Sequence, residues 1–393
     1  MKRNGRRVVF VSSCPDGWGG CEELWAGAAH ILRSRSHEIV ALRTEPWPQR
    51  KVHERWAELA QAGIDIGTFG ASPLSRTPPI IADLIGPLAG RASMRMRHLA
   101  LAAKLRALEP DLVVVAQWGA YDGIFPICLP EVCQFAEVPY VLICQKASDI
   151  HWPADGLRHI YAQAYLKASA VFFVSAHNLR TVEQQLSVSF GAAEVIHNPF
   201  RLKVTAPLKW PEIKRGILKF ACVGRLWALD KAQDVLLNVL ARECWRGRPI
   251  EVNIFGEGDN ARGIEAMAKW LNLTNVRFPG FADPTEIWRT HHALVLPTRA
   301  EGLPLVQVEA MMCGRPVIIT DAGGSSEIMV DGQHGFLAAA AAEQPFAEAL
   351  ERAWQRRDEW PAIGLAAADH VRKLYRTDPC RDFADRLESF IIK

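Results

Sequence analysis

Short apolar, β-rich runs alternate with longer helical stretches along the chain, and this rhythm limits the fold more than any other feature. In the first half the runs are 8–11, 38–42, 112–116, 140–144, 171–174 and 194–196. Ala- and Leu-rich segments such as 24–32 and 99–108 lie between them. A second series follows at 218–223, 251–255, 276–278, 293–296 and 317–319, with helical stretches at 232–240, 263–271 and 306–313. Strand and helix in strict alternation make βαβ units, hence parallel sheets covered on both faces. With 393 residues, the chain exceeds one ordinary core. Asn198-Pro199 ends a strand, and 200–211 has two more prolines and little periodicity. The expected organisation is α/β, with two doubly wound domains at 1–198 and 212–375 and a linker at 199–211. A cleft between their strand carboxyl ends follows. The closing segment, 376–393, sets Phe383, Leu387, Phe390 and Ile391 on one helical face that must pack somewhere.

Bulk properties exclude several classes. The net charge of +3 is too small to require a nucleic-acid partner. A local basic stretch, Arg91, Arg95, Arg97, His98, Lys104 and Arg106, contains no acidic residue. It reads either as a solvated helix face or as a contact for anionic membrane or acceptor. The nine cysteines include no C-x-x-C and no zinc-ligand spacing, which suggests reduced thiols in a cytoplasmic protein. The apolar run at 8–11 is too short for a signal-peptide core. No stretch approaches the ~20 apolar residues of a membrane span, so membrane contact would be peripheral.

Chemistry concentrates after the strands. Glu301 and Glu309 lie eight residues apart in Pro297-Thr298-Arg299-Ala300-Glu301-Gly302-Leu303-Pro304-Leu305-Val306-Gln307-Val308-Glu309-Ala310. Gly302 and Pro304 end the strand and start a helix, so both carboxylates can face one cavity at a strand's carboxyl end. Free N–H groups of Leu305 and Val306 at the helix start suit a phosphate. Gly224-Arg225-Leu226 follows another strand, with Lys231 at an expected helix start, and reads as an anion clamp or as ordinary surface cations. Phe255-Gly256-Glu257-Gly258 is a glycine turn, weak evidence alone. Asp321 to Glu327, with Gly323-Gly324, opens a helix or is only its cap. In the first half Trp18-Gly19-Gly20-Cys21-Glu22-Glu23 is the matching turn, and its two glycines permit close approach of backbone to phosphate. It is not G-x-G-x-x-G, and no ribose-binding acid ends strand two, which argues against nicotinamide binding.

The ordered set of these segments resembles the retaining glycosyltransferases of the GT-B fold, family 4, over nearly the whole chain. The frame from Pro297 through Glu309 to Met311-Met312-Cys313-Gly314-Arg315-Pro316-Val317-Ile318 is its most specific part. The resemblance implies two Rossmann-like domains and a nucleotide-diphosphate sugar as donor. It implies that Arg225 and Lys231 hold the diphosphate, with Gly224, Gly256, Gly302 and Leu303 lining the donor site. Leu305 and Val306 would offer N–H groups to the distal phosphate, Gly19 and Gly20 would approach it from the first domain, and Phe278 would flank the base. Glu309 would take the ribose hydroxyls and Glu301 those of the transferred sugar. In this family the last helix commonly crosses back to the first domain.

The chain departs from the family at Gln145, where a histidine often follows the strand. Gln145 can bond a sugar hydroxyl without carrying charge, and nearby His151 is the substitute candidate. Without an Asp-x-Asp motif, the cations are expected to replace a divalent ion, with no cofactor. Some of the thirteen tryptophans, Trp18, Trp25, Trp47, Trp56, Trp118 and Trp152 among them, are candidates to stack on an acceptor, although core packing explains any single one as well. The expected activity is sugar transfer to a carbohydrate or lipid-linked hydroxyl, for surface polysaccharide or glycolipid. The alternatives are a nucleotide-sugar 2-epimerase and a non-catalytic carbohydrate-binding protein.

Overall fold

In a computed structural model of the chain, β-branched and apolar runs form two parallel sheets, each made by one compact unit. The structure describes residues 5–14, 18–44, 52–69, 101–124, 129–200, 202, 204–375 and 378–391. The first unit comprises Met1–Pro199 with Thr377–Lys393, and the second Phe200–Arg376.

The first sheet contains β1 (Arg7–Ser12), β2 (Glu38–Thr44), β3 (Asp65–Phe69), β4 (Leu112–Gln117), β5 (Tyr140–Cys144), β6 (Ala170–Phe173) and β7 (Ala193–Val195). Its order is β3-β2-β1-β4-β5-β6-β7, every pair parallel. Val8, Val9, Phe10 and Val11 are all buried, as are residues 112–117, because helices cover both faces. The helix Glu23–Ser34 lies on one face through Leu24, Trp25, Ala28 and Leu32. The helix Pro379–Ile391 joins that same core through Phe383, Ala384, Leu387 and Ile391. Phe383 meets Phe172 edge-on at 5.1 Å between ring centres. The last helix therefore completes the first unit, although the chain has passed through the second unit before reaching it.

The second sheet contains β8 (Leu218–Val223), β9 (Ile250–Phe255), β10 (Val276–Gly280), β11 (Ala293–Leu296), β12 (Val317–Thr320) and β13 (Gly335–Ala338), ordered β10-β9-β8-β11-β12-β13. The stretch expected as a linker is partly incorporated here. Leu208 donates its N–H to the Cys313 carbonyl at 3.2 Å, and Trp210 packs against the core. Arg315, 1% exposed, explains the anchoring: its guanidinium donates to the carbonyls of Trp288, Cys313, Leu208 and Lys209. Burial lowers its pKa to about 10, and so many carbonyl acceptors keep the cation satisfied.

Two further expectations are corrected. Residues 325–328 form a single 3₁₀ turn without a side-chain cap, where a capped helix was expected. Lys231 closes the short helix Ala228–Lys231, and the next begins at Gln233, so it does not start a helix. Ala232 between them has φ 50°, which breaks the helix path. Of the tryptophans, Trp18, Trp25 and Trp56 pack in the first unit's core, Trp152 is exposed, and Trp47 lies outside the described residues.

Candidate functional site

In the second unit the chain steps outward from β8 through β9 to β10, then returns to place β11 on the other side of β8. The crevice at the carboxyl ends of β8 and β11 is thus a topological switch point, where open parallel sheets take ligands. The Gly224–Trp227 loop leaves β8 there, and the 297–304 segment leaves β11.

These two segments are bound to each other by a small hydrogen-bond network. The Asp230 carbonyl accepts from the N–H of Arg299 at 2.6 Å and of Ala300 at 3.2 Å. The Arg299 guanidinium donates to the Ala228 carbonyl at 2.6 Å and to both oxygens of Asp234, at 2.9 and 2.7 Å. With the helical turn so held, Lys231 Nζ reaches Glu301 Oε1 at 2.5 Å. The Thr298 hydroxyl is 2.8 Å from that same Oε1, 2.8 Å from the Asp230 carbonyl and 3.5 Å from the Ala300 carbonyl, so its one proton is shared among acceptors. Glu301 Oε2 makes no hydrogen bond among the described residues. Two of the three Lys231 ammonium protons are likewise uncommitted there. The pair can therefore hold an anion on one side and accept from a hydroxyl on the other. Among the described residues, no group of three metal-ligating side chains surrounds it.

The glycines of the site serve different purposes. A Cβ on Gly224 would touch the Lys231 stem at 3.6 Å, an ordinary contact. Gly256, with φ +126°, faces the Gly224 carbonyl, which a Cβ would approach to 2.0 Å. Its lack of a side chain lets two backbone loops pack together. Gly323, with φ +57°, backs the Glu301 carbonyl at 2.3 Å on the same measure, and the Gly324 N–H donates to the Gly302 carbonyl at 2.7 Å. The 321–327 loop thus supports the Glu301 segment from behind.

Gly302 and Leu303 are buried in that segment, ahead of the helix Leu305–Met312. The N–H groups of Leu305 and Val306 carry no hydrogen bond among the described residues, as the first turn of a helix dictates. Glu309 is buried on this helix at 8% exposure. Arg225 is half-buried in the β8 loop, its carbonyl fixed by Gln233 Nε2 at 2.9 Å. Phe278 packs on the second unit's core from the edge strand β10. Burial raises the Cys222 thiol to about 12, which leaves it inert beside Lys231.

In the first unit Gly19 is extended, Gly20 is exposed, and the turn Gly20–Glu22 leads into the helix Glu23–Ser34. Gln145 follows β5 and is buried; its Oε1 accepts from Asn198 Nδ2 at 2.6 Å. The amide is thus already engaged, although its Nε2 has no partner among the described residues. His151 is exposed on the following loop. Of the basic stretch, Lys104 Nζ donates to the Thr68 carbonyl at 2.8 Å and Arg106 is exposed, while Arg91, Arg95 and Arg97 lie outside the described residues.

Sequence reasoning overlooked Asp230, Asp234 and the roles of Thr298 and Arg299. Thr298 and Arg299 adjoin Glu301, but their partners lie 65 to 71 residues away along the chain, where no spacing rule reaches.

Residues 218–356 match the family described as "Glycosyl transferases group 1". An uncharacterized glycosyltransferase of Methanocaldococcus jannaschii is 26% identical over 186 residues, 46% of this chain and 48% of that one. A D-inositol 3-phosphate glycosyltransferase of Frankia alni is 32% identical over 164 residues, 37% of this chain and 40% of that one. The chain thus spans about half or less of the curated relatives it matches. Among solved structures, Anabaena HepE in complex with UDP-glucose aligns with a TM-score of 0.72 at 20% identity, over 98% of this chain and 99% of that one. Sucrose-phosphate synthase from Thermosynechococcus elongatus aligns with a TM-score of 0.73 at 17% identity, over 98% and 99%. Two Rossmann-like parallel-sheet units, alike across the chain's length to these structures, make the fold GT-B, and the stretch that matches group 1 glycosyl transferases contains Lys231 and Glu301.

Proposed function

We propose that the chain is a retaining glycosyltransferase of family 4 that moves a sugar from a nucleotide-diphosphate donor to a hydroxyl acceptor in surface polysaccharide or glycolipid synthesis. The observation that carries this reading is the Lys231–Glu301 contact at the switch point of β8 and β11. The match over 218–356 and the UDP-glucose complex of HepE support it.

In this reading the leaving diphosphate gains negative charge as the glycosidic bond breaks. Lys231, Arg225 and the N–H groups of Leu305 and Val306 are fixed donors that stabilise that charge as it develops. Glu301 Oε2 accepts from a hydroxyl of the transferred sugar, and Glu309 accepts the ribose diol. The cations take the place of a divalent ion, so turnover survives a chelator. Work in the cytoplasm, with the 91–106 stretch against an anionic membrane, completes the proposal; sedimentation with anionic and neutral vesicles tests that part.

A thermal-shift screen with UDP-, GDP- and ADP-sugars identifies the donor, since a ligand at 100 times its Kd stabilises by about 2.7 kcal/mol. Nucleotide release that depends on an added acceptor separates transfer from 2-epimerisation. Lys231→Ala lowers turnover by about 100-fold or more, and Glu309→Gln weakens donor binding. Wild-type kinetics in both variants would contradict the assignment.

A further inference from the structure

The turn after β1 contains a side-chain cluster that sugar transfer does not use. Cys14, just past β1, and Cys21 and Glu22, in the turn that opens the first helix, bring two sulfurs and a carboxylate oxygen within 4.8 Å of one another. Cys14 and Glu22 are buried and Cys21 is half-buried. Cys21 Sγ stands 3.5 Å from Glu22 Oε1. A tetrahedral zinc ion, about 2.3 Å from a thiolate and about 2.0 Å from a carboxylate oxygen, sets a sulfur–oxygen edge of roughly 3.5 Å. The two ligand atoms thus already stand at the separation such an ion imposes.

The surroundings orient these groups. Trp25 Nε1 donates to Glu22 Oε2 at 2.8 Å, which turns Oε1 toward the thiols. The Glu22 N–H donates to the Gly19 carbonyl at 3.0 Å, and the Cys14 N–H to Ser12 Oγ at 3.1 Å. Groups that bond a ligand's other atoms in this way fix its direction before a metal arrives. Two sulfurs select a soft cation over calcium or magnesium.

We propose that Cys14, Cys21 and Glu22 form a site for a thiophilic divalent cation of the zinc class, bound by two thiolates and one carboxylate oxygen with a fourth position open. On binding, each thiol releases its proton to solvent and the metal replaces the Cys21–Glu22 hydrogen bond. The ion then ties the end of β1 to the first helix across Gly19 and Gly20. The spacing C-x6-C-E matches no standard zinc pattern, so only the folded turn reveals it. The inference does not depend on the proposed sugar transfer.

The full chain, reduced with a phosphine and stripped by a chelator, is titrated with Cd²⁺ and Co²⁺ while sulfur-to-metal charge transfer is recorded. The expected result is one equivalent per chain with Kd below about 1 μM, abolished in Cys21→Ser and Cys14→Ser and weakened roughly tenfold or more in Glu22→Gln. Cys21 is half-buried, so Cys21→Ser keeps the fold, which circular dichroism checks. Cys244→Ser, at an exposed thiol, leaves the signal intact. The absence of a charge-transfer band, weaker binding than stated, survival of the band in Cys21→Ser, or its loss in Cys244→Ser would overturn the site.

Discussion

Replacing Lys231 with Met separates the stability of the site from its chemistry. Met keeps an unbranched stem and removes the ammonium. The Lys231 side chain is 20% exposed and that of Glu301 9%, with 2.5 Å between them. Removing one partner of a fully buried pair costs about 3–5 kcal/mol, because the other charge is left uncompensated. Here a fifth of Lys231 remains in water, and the Thr298 hydroxyl still serves Glu301 at 2.8 Å. The expected loss is therefore about 2–3 kcal/mol. Glu301→Gln leaves the more exposed partner, so it costs about 1 kcal/mol. In the double variant no charge is stranded, and the cycle returns a coupling of about 2 kcal/mol. A chain of two units is not expected to unfold in one step, so the measurement is local. Amide exchange of peptides covering β8 and β11 reports the opening energy of the second unit alone. Turnover with the identified donor is measured on the same samples, and all three variants lose about 100-fold or more. The double variant thus recovers stability without activity. A coupling below about 0.5 kcal/mol, or a Lys231→Met chain as protected as wild type, would refute the claim that this pair is desolvated.

Other perturbations test the supports. Gly323→Ala puts a Cβ in a φ +57° position 2.3 Å from the Glu301 carbonyl; a left-handed conformation alone costs about 1–2 kcal/mol, and the clash with backbone forces the Glu301 segment to move, so both thermal midpoint and turnover fall. His292 is fully buried, accepts the Lys219 N–H at 2.9 Å, and is held down to about 4 chiefly by burial. Its unfolded pKa is near 6.5, so below that pH the unfolded chain takes the proton first; stability is complete above pH 6.5 and falls by up to about 3 kcal/mol on the way to pH 4. His292→Asn flattens this slope in exchange measured across that range, with a residue left by His291, which burial also lowers; an unchanged slope would assign the effect elsewhere. Leu387→Ala, at a fully buried position of the last helix, destabilises the first unit by about 2–5 kcal/mol; exchange in β1 within about 0.5 kcal/mol of wild type would show that this helix is dispensable.

What could be read along the chain follows from where apolar side chains are needed. Among the described residues every strand but β3 and β13 was legible, and both of those lie at the ends of the strand orders. β3 carries Asp65 and Gly67, and β13 opens on Gly335 and runs into an alanine tract, so neither shows the dense apolar run of a strand buried on both faces. The last helix shows the same logic from the other side: its apolar face was plain, but which unit it covers depends on a docking surface elsewhere in the chain. The site divides likewise. Glu301 and Lys231 stood out because each follows a strand end, where function concentrates in parallel sheets. Their contact, made over 70 residues, exists only because β11 returns to the side of β8. The parts that hold it, Asp230, Asp234, Thr298 and Arg299, have no local signature, since a carbonyl acceptor or a bidentate ion pair constrains no spacing in the chain. Glycine adds a requirement that no spacing reveals: at Gly256 and Gly323 the missing side chain makes room for a neighbouring backbone carbonyl. Such a glycine lets two loops close on each other, so its replacement tests the geometry of Glu301 and Lys231 while leaving both side chains unchanged.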